Sequence, residues 1–267
     1  MIALKSAREI DTIRRSGKIT ATVLTMLMKA AKPGMTTAQL DEIAEREIRA
    51  RGAVPTFKGY HGFTASICAS VNDEVVHGVP CDRPLEDGDL LSIDIGSTFE
   101  GFVSDTAVTI PIGTVSPEAQ KLLTVTQECL MLGIAQMKAG NRVGDIGYAV
   151  QRHAEANGYG VVRELVGHGV GREMHEEPQV PNYGSRGAGP ELRLGLVLAI
   201  EPMITQGARE VEVCEDGWTV VTKDGKLAAH FEHTIAVTAD GPKILTLRDF
   251  GEHPDVAHYR PKEESIV

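Results

Sequence analysis

Apolar residues recur at three- and four-residue steps through Ile10, Ile13, Gly17, Ala21, Leu24, Met28 and Ala31. That is the period of one helix face, and Pro33-Gly34 closes it. Thr37 is expected to cap a second helix with the inner face Leu40, Ile43, Ala44 and Ile48, stopped by Gly52. Short strands follow from about Pro55 to Pro80. Between Leu90 and Ile110 two apolar strands flank a short turn, and each carries one aspartate at its middle, Asp94 and Asp105. Ser116-Pro117-Glu118 starts a third helix with proline at its first helical position. Its face runs through Leu122, Val125, Cys129, Leu132 and Met137, with Gly140 as its end. A fourth helix is expected from about Val143 to Asn157, stopped by Gly158, and strands fill much of the remainder.

The order of elements repeats. Gly34 and Gly140 lie 106 residues apart, as do Gly52 and Gly158. GDLLSID (88–94) aligns with GLVLAIE (195–201) at an offset of 107, and His61-Gly62 aligns with His168-Gly169 at the same offset. Asp105-Thr-Ala-Val resembles Glu232-His-Thr-Ile, with about 20 extra residues in the second half. This predicts one α+β domain over 1–267. It would be made of two similar halves, roughly 1–110 and 111–247, followed by a tail, 248–267. A site between the halves is the natural expectation.

Two carboxylates buried in apolar strands cost several kcal/mol unless something compensates. If residues 98–101 form a four-residue loop, Asp94 sits directly opposite Asp105, with β-carbons roughly 4.5–5.5 Å apart. Ser92, Gly96 and Ala107 share their face and are small, while Leu91, Ile93 and Ile95 point to a core. The repeat adds Glu201 in VLAIEPMI and Glu232 in HFEHTIAV. Four converging acids exceed what proton sharing relieves, and a pair of divalent cations is the economical answer. His168, in LVGHGVG, would be the lone nitrogen donor. Such a hard donor set suits Mn²⁺ or Fe²⁺, with Co²⁺ able to substitute. Zn²⁺ is possible but favours more nitrogen or sulfur. The glycines of GHGVGRE lack the Lys-Ser/Thr of a phosphate loop.

Composition narrows the classes. The net charge is −10, and no Lys/Arg block marks a nucleic-acid binder. No run of about 18 apolar residues is long enough to cross a membrane. Cys68, Cys81, Cys129 and Cys214 show no CxxC spacing and read as reduced thiols of a cytosolic protein. The charged, helix-periodic N-terminus lacks the apolar core of a signal peptide.

Asp94 and Asp105 eleven apart, then His168, Glu201 and Glu232, resemble the metal set of the methionine aminopeptidases. So do GYHGF (59–63), SICASVNDEVVHGVP (66–80), GHGVGREMHEEP (167–178), AIEPM (199–203), DGWTVVTKDG (216–225) and FEHTI (231–235). The resemblance spans nearly the whole chain. It implies the pita-bread fold and removal of the initiator methionine from nascent polypeptides when the second residue is small. The short Glu201–Glu232 interval looks like type I, without the zinc extension of some eukaryotic relatives, and so like a bacterial cytosolic enzyme. By resemblance, Asp94 would hold one of two cations, Asp105 and Glu232 would bridge both, and His168 and Glu201 would complete the second. A water between the cations would attack the scissile carbonyl, with Glu201 as general base. His175 would hydrogen-bond the oxyanion and His77 the substrate backbone. Tyr60, Phe63, Cys68, Met174 and Trp218 would form the methionine slot, with Phe57 at its rim. Met174 stands where relatives commonly carry an aromatic, and Phe57 where they carry a small residue or cysteine, so the tolerated second residue and inhibitor fit would differ. A turn at Asp224-Gly225 would bring the strand of Trp218 back beside Phe231 and Glu232. His61, the symmetry mate of His168, would stand behind the ligands.

Two alternatives share the fold. One is a peptidase of the aminopeptidase P or prolidase kind, and the other a peptide-binding module without catalysis. A monomer is the default expectation, with neither a membrane nor a nucleic acid as partner. The ribosome is a plausible neighbour for an enzyme of nascent chains, although no basic patch announces it.

Overall fold

The computed structural model describes residues 2–248, so the tail predicted from 248 lies, beyond its first residue, outside the described residues. Four helices carry the apolar periodicity: α1 (Ala7–Ala30), α2 (Thr37–Ala50), α3 (Pro117–Ala135) and α4 (Val143–Ala156). The strands of the first half are β1 (Val54–Pro55), β2 (Ile67–Val71), β3 (Glu74–Val76), β4 (Leu90–Phe99) and β5 (Phe102–Pro111). The second half begins with β6 (Gly160–Val161), β7 (Gly167–Gly169), β8 (Glu176–Val180), β9 (Val197–Ile200) and β10 (Met203–Thr205). It continues with β11 (Val211–Val213), β12 (Val220–Thr222), β13 (Ala228–His230), β14 (His233–Thr238) and β15 (Gly241–Ile244). All pairings are antiparallel. β4 is flanked by β5 on one side and by β1 and β2 on the other, and β15-β14-β9-β7-β8 form a second sheet. The fold is the pita-bread α+β fold. Helices α2 and α4 have the same length of 14 residues and start at equivalent points of the repeat.

Helix starts follow their caps. Ser6 and Glu9 close a capping box at α1, and Ser116 with Pro117 opens α3. At α2 the expectation shifts by one residue. Thr36, not Thr37, is the N-cap, in a box with Gln39, while the Thr37 hydroxyl accepts the Cys81 N–H at 2.9 Å. Helix α3 stops at Ala135, ahead of Gly140. Met137 keeps the apolar period and is fully buried, but it sits in a turn with its N–H on the Ile134 carbonyl.

The β4–β5 hairpin is tighter than expected. Phe99 pairs with Phe102 across a two-residue turn in which Glu100 (φ 49°) and Gly101 (φ 77°) are both left-handed, the geometry of a type I′ turn. Asp94 therefore faces Ala107 and Asp105 faces Gly96. The four-residue loop and the direct Asp94–Asp105 pairing are thus corrected. A shift of two residues keeps both acids on one face, now as diagonal neighbours with α-carbons about 7–8 Å apart. The opposite face carries Leu91, Ile93, Ile95, Val108 and Ile110, fully buried or nearly so, in the main core with the helices. Ser97 and Ser104 also face that way, where Thr20 of α1 lies 2.7 and 2.6 Å from their hydroxyls.

Helix α1 is clamped at Gly17, where a Cβ would stand 2.2 Å from the Leu245 carbonyl oxygen. Gly17→Ala is expected to destabilise the protein by about 2–3 kcal/mol, read as a lower midpoint in denaturant melts.

Candidate metal centre and cavity

Threonines join the two halves along β5 and the β13–β14 segment. Thr234 Oγ1 donates to the Asp105 carbonyl at 2.8 Å and accepts the Asp105 N–H at 3.0 Å. Thr106 Oγ1 donates to the Glu232 carbonyl at 2.7 Å, and the Glu232 N–H donates to the Ala107 carbonyl at 2.9 Å. These bonds set Asp105 and Glu232 side by side. Asp94 comes from β4, His168 from β7 and Glu201 from the position directly after β9, and all five line one cavity.

That cavity encloses about 760 Å³ of empty space, part of it open to solvent. The other expected residues line it too: Phe57, Tyr60, Phe63, Cys68, His77, Met174, His175 and Trp218. Phe57 is buried in the wall and not at the rim, with 6% of its surface exposed. Its ring occupies the space that a Cβ at Gly96 would fill, 2.8 Å away. Trp218 reaches the cavity by another route than expected. The turn at Gly225 forms, but β12 pairs with β3 and β11, while the returning β13 pairs with β10. His61 is not among the lining residues and stacks edge-on against Tyr60, with centroids 4.3 Å apart.

The acids are poised for a cation. Asp105, His168 and Glu232 each offer a donor atom, all within 4.8 Å of one another. Asp94 Oδ1, Asp105 Oδ1 and Glu232 Oε1 are enclosed and have no hydrogen-bond partner, an arrangement costing several kcal/mol per ion without compensation. Burial, with the neighbouring negative charges, pushes Asp94, Glu201 and Glu232 well above the usual carboxylate range. Burial raises Asp105 to about 7. A divalent cation reverses this preference by favouring every ionised form. The histidine fits as well. His168 Nδ1 lies 3.0 Å from the Gly169 carbonyl, so donation there leaves Nε2 as a free lone pair, 3.5 Å from Glu201 Oε1. Burial lowers His168 to about 4, keeping it neutral as a ligand must be. The residues present therefore fit divalent metal.

The sequence reading missed His230, Leu165, Val166, Met203 and Val76. The last four line the cavity. Buried His230 has its Nε2 3.7 Å from Glu201 Oε2. Spacing could have found it, since a strand running on through Glu232 would put a residue two positions earlier on the same face. The apolar four sit in ordinary core strings and carry no such signal.

Residues 11–239 match the model of metallopeptidase family M24. The chain belongs to that family. Within it, this metallopeptidase falls among the methionine aminopeptidases. It is 52% identical over 246 residues to methionine aminopeptidase 1 of Bacillus subtilis, covering 92% of this chain and 99% of that protein. It is 51% identical over 247 residues to the methionine aminopeptidase of Clostridium perfringens, with the same shares covered. The crystal structure of methionine aminopeptidase from Thermotoga maritima superposes with a TM-score of 0.91 at 43% identity, covering 93% of this chain and all of that one. A prolidase from Pyrococcus furiosus shares the fold, at a TM-score of 0.76 and 22% identity. The protein is a hydrolytic metalloenzyme, and no helix among its described residues is long and apolar enough to cross a membrane.

Proposed function

We infer that this metallopeptidase removes the N-terminal methionine from nascent polypeptides whose second residue is small, acting in the cytoplasm. The observation that carries the reading is the joining of a five-residue acid-histidine cluster to an apolar slot in one cavity. Asp94, Asp105, His168, Glu201 and Glu232 would hold two divalent cations, Mn²⁺, Fe²⁺ or Co²⁺, with Zn²⁺ a poorer match to the oxygen-rich set. Bound there, the cations would supply Lewis-acid polarisation of the scissile carbonyl and a more acidic water.

The chain's own residues do the rest. The Glu201 carboxylate takes the proton of the attacking water and delivers it to the leaving amine. Tyr60 Oη lies 2.7 Å from His175 Nδ1. With the tyrosine donating, neutral His175 keeps its proton on Nε2 and offers it to the developing oxyanion. Burial, then the neighbouring His175, lowers the pKa of His77, so it too meets the substrate uncharged. His77 has a left-handed backbone (φ 60°), a strained conformation of the kind found at functional positions. Phe63 and Trp218 meet edge-to-face at 5.1 Å, and with Tyr60, Cys68, Met174 and Phe57 they form an apolar slot suited to a thioether.

Peptide hydrolysis tests the reading. The manganese-loaded protein is expected to cleave Met-Ala-Ser and leave Ala-Pro-Ala intact. The reverse preference would favour a prolidase-like activity, and cleavage of neither a binding module.

A further inference from the structure

His175 and Met174 reach the cavity from a short loop, 172–176, that follows Gly171 and ends where β8 begins. One side chain closes this loop on itself. Glu176 Oε1 accepts the backbone N–H groups of Arg172 at 2.9 Å and Glu173 at 3.4 Å. The other oxygen, Oε2, meets Lys5 Nζ at 2.5 Å, with the two side chains 5% and 16% exposed. Lys5 is itself fixed. Its ammonium also donates to the Ala3 carbonyl at 3.1 Å, and its backbone N–H donates to the Gly195 carbonyl at 2.7 Å.

Glycines make room for the contact. A Cβ at Gly171 would stand 2.3 Å from Glu176 Oε1 and 2.6 Å from Lys5 Cε, and one at Gly195 would stand 2.6 Å from the Lys5 carbonyl oxygen. A second strap runs alongside: the Arg172 guanidinium lies 3.6 Å from Glu9 and 4.4 Å above the Phe102 ring. The segment before and at the start of α1 thus grips the outside of the loop whose inner side carries His175.

A lysine is almost never this buried unless paired. An exposed pair would contribute little, but a desolvated one with several fixed hydrogen bonds is directional and holds geometry. We propose that Lys5 is a positioning residue of the reaction: through Glu176 it sets the 172–176 loop, and with it the place of His175 in the cavity. This rests on the reading of His175 as the oxyanion donor.

The test uses the full-length, manganese-loaded protein and Met-Ala-Ser. Lys5→Met is expected to lower kcat by about 10–100-fold, the scale of a small misplacement of a catalytic group, with KM changed less than about threefold. Lys5→Arg should recover most of kcat. Lys5→Met leaves Glu176 buried without its partner, so a fall in stability accompanies it. The double variant Lys5→Met/Glu176→Gln removes both charges and keeps an acceptor for the loop N–H groups. It should melt near the wild-type temperature yet keep the low kcat. A double variant with wild-type kcat would overturn the proposal, because the pair would then serve stability alone. In a His175→Ala background, Lys5→Met should cause no further loss, and an independent further loss would also overturn it. Wild-type kcat in His175→Ala itself would instead refute the role given to His175, a result separate from the Lys5 series.

Discussion

Glu201→Ala is expected to lower kcat by at least about 10²–10⁴-fold, the contribution of a well-placed general base, with an unchanged far-ultraviolet circular dichroism spectrum. Glu201 stands between two imidazoles, His168 Nε2 at 3.5 Å from one oxygen and His230 Nε2 at 3.7 Å from the other. Both are neutral, His168 held near 4 and His230 near 3 by burial first and a neighbouring histidine second. Its main-chain carbonyl accepts from Asn182 Nδ2 at 2.9 Å. The carboxylate is thus fixed at its root and flanked by groups that carry no competing charge. Glu201→Gln keeps the shape but cannot take a proton, so it should be as inactive as the alanine variant. Removing one acid from a mutually repelling cluster should not unfold the metal-free protein. A Glu201→Gln variant turning over within threefold of wild type would sink the assignment.

Stripping divalent metal with a chelator is expected to abolish hydrolysis and to make stability depend on pH in a direction opposite to ordinary acid denaturation. Asp94, Asp105, Glu201 and Glu232 have folded-state values raised above those of the unfolded chain, Asp105 to about 7. Such groups favour the folded state fully below the unfolded carboxylate value, and that contribution is lost as pH rises through the folded value. The melting temperature of the metal-free protein should therefore fall between pH 5 and pH 8. Bound cations favour the ionised carboxylates instead, so Mn²⁺ should raise the melting temperature most at the alkaline end. At a free concentration 100 times the dissociation constant the gain is about 2.7 kcal/mol. Activity should return with Mn²⁺ or Co²⁺. A melting temperature indifferent to metal across this range would contradict the cluster's role.

Much of this was legible in the chain. Helix starts were readable where a hydroxyl, a proline and an acid coincide, as at Ser116-Pro117-Glu118, because caps act locally. The five acid-histidine positions could be found because the repeat supplies Glu201 and Glu232 from Asp94 and Asp105, and the cavity brings all five together. The hairpin register is hidden in the sequence for a local reason. Glu100-Gly101 forms a two-residue turn without the Asn or Asp that usually announces one, and the facing pair Phe99 and Phe102 looks no different from loop flanks. The error did not move the acids to the wrong face, since a slip of two residues conserves parity. The strand that follows Trp218, β12, is harder to place. Its partners, β3 and β11, are chosen by tertiary packing and not by the Gly225 turn. The Lys5–Glu176 contact joins residues 171 positions apart, and nothing in a charged N-terminal stretch marks one lysine as buried.

Calorimetric titration of the chelator-stripped protein with Mn²⁺ tests the central claim most directly. Two equivalents should bind to the wild-type chain, and Asp105→Asn and Glu232→Gln should each lose at least one while remaining folded. No binding heat from the wild type, or two equivalents still bound by both variants, would show that these side chains do not gather around divalent ions.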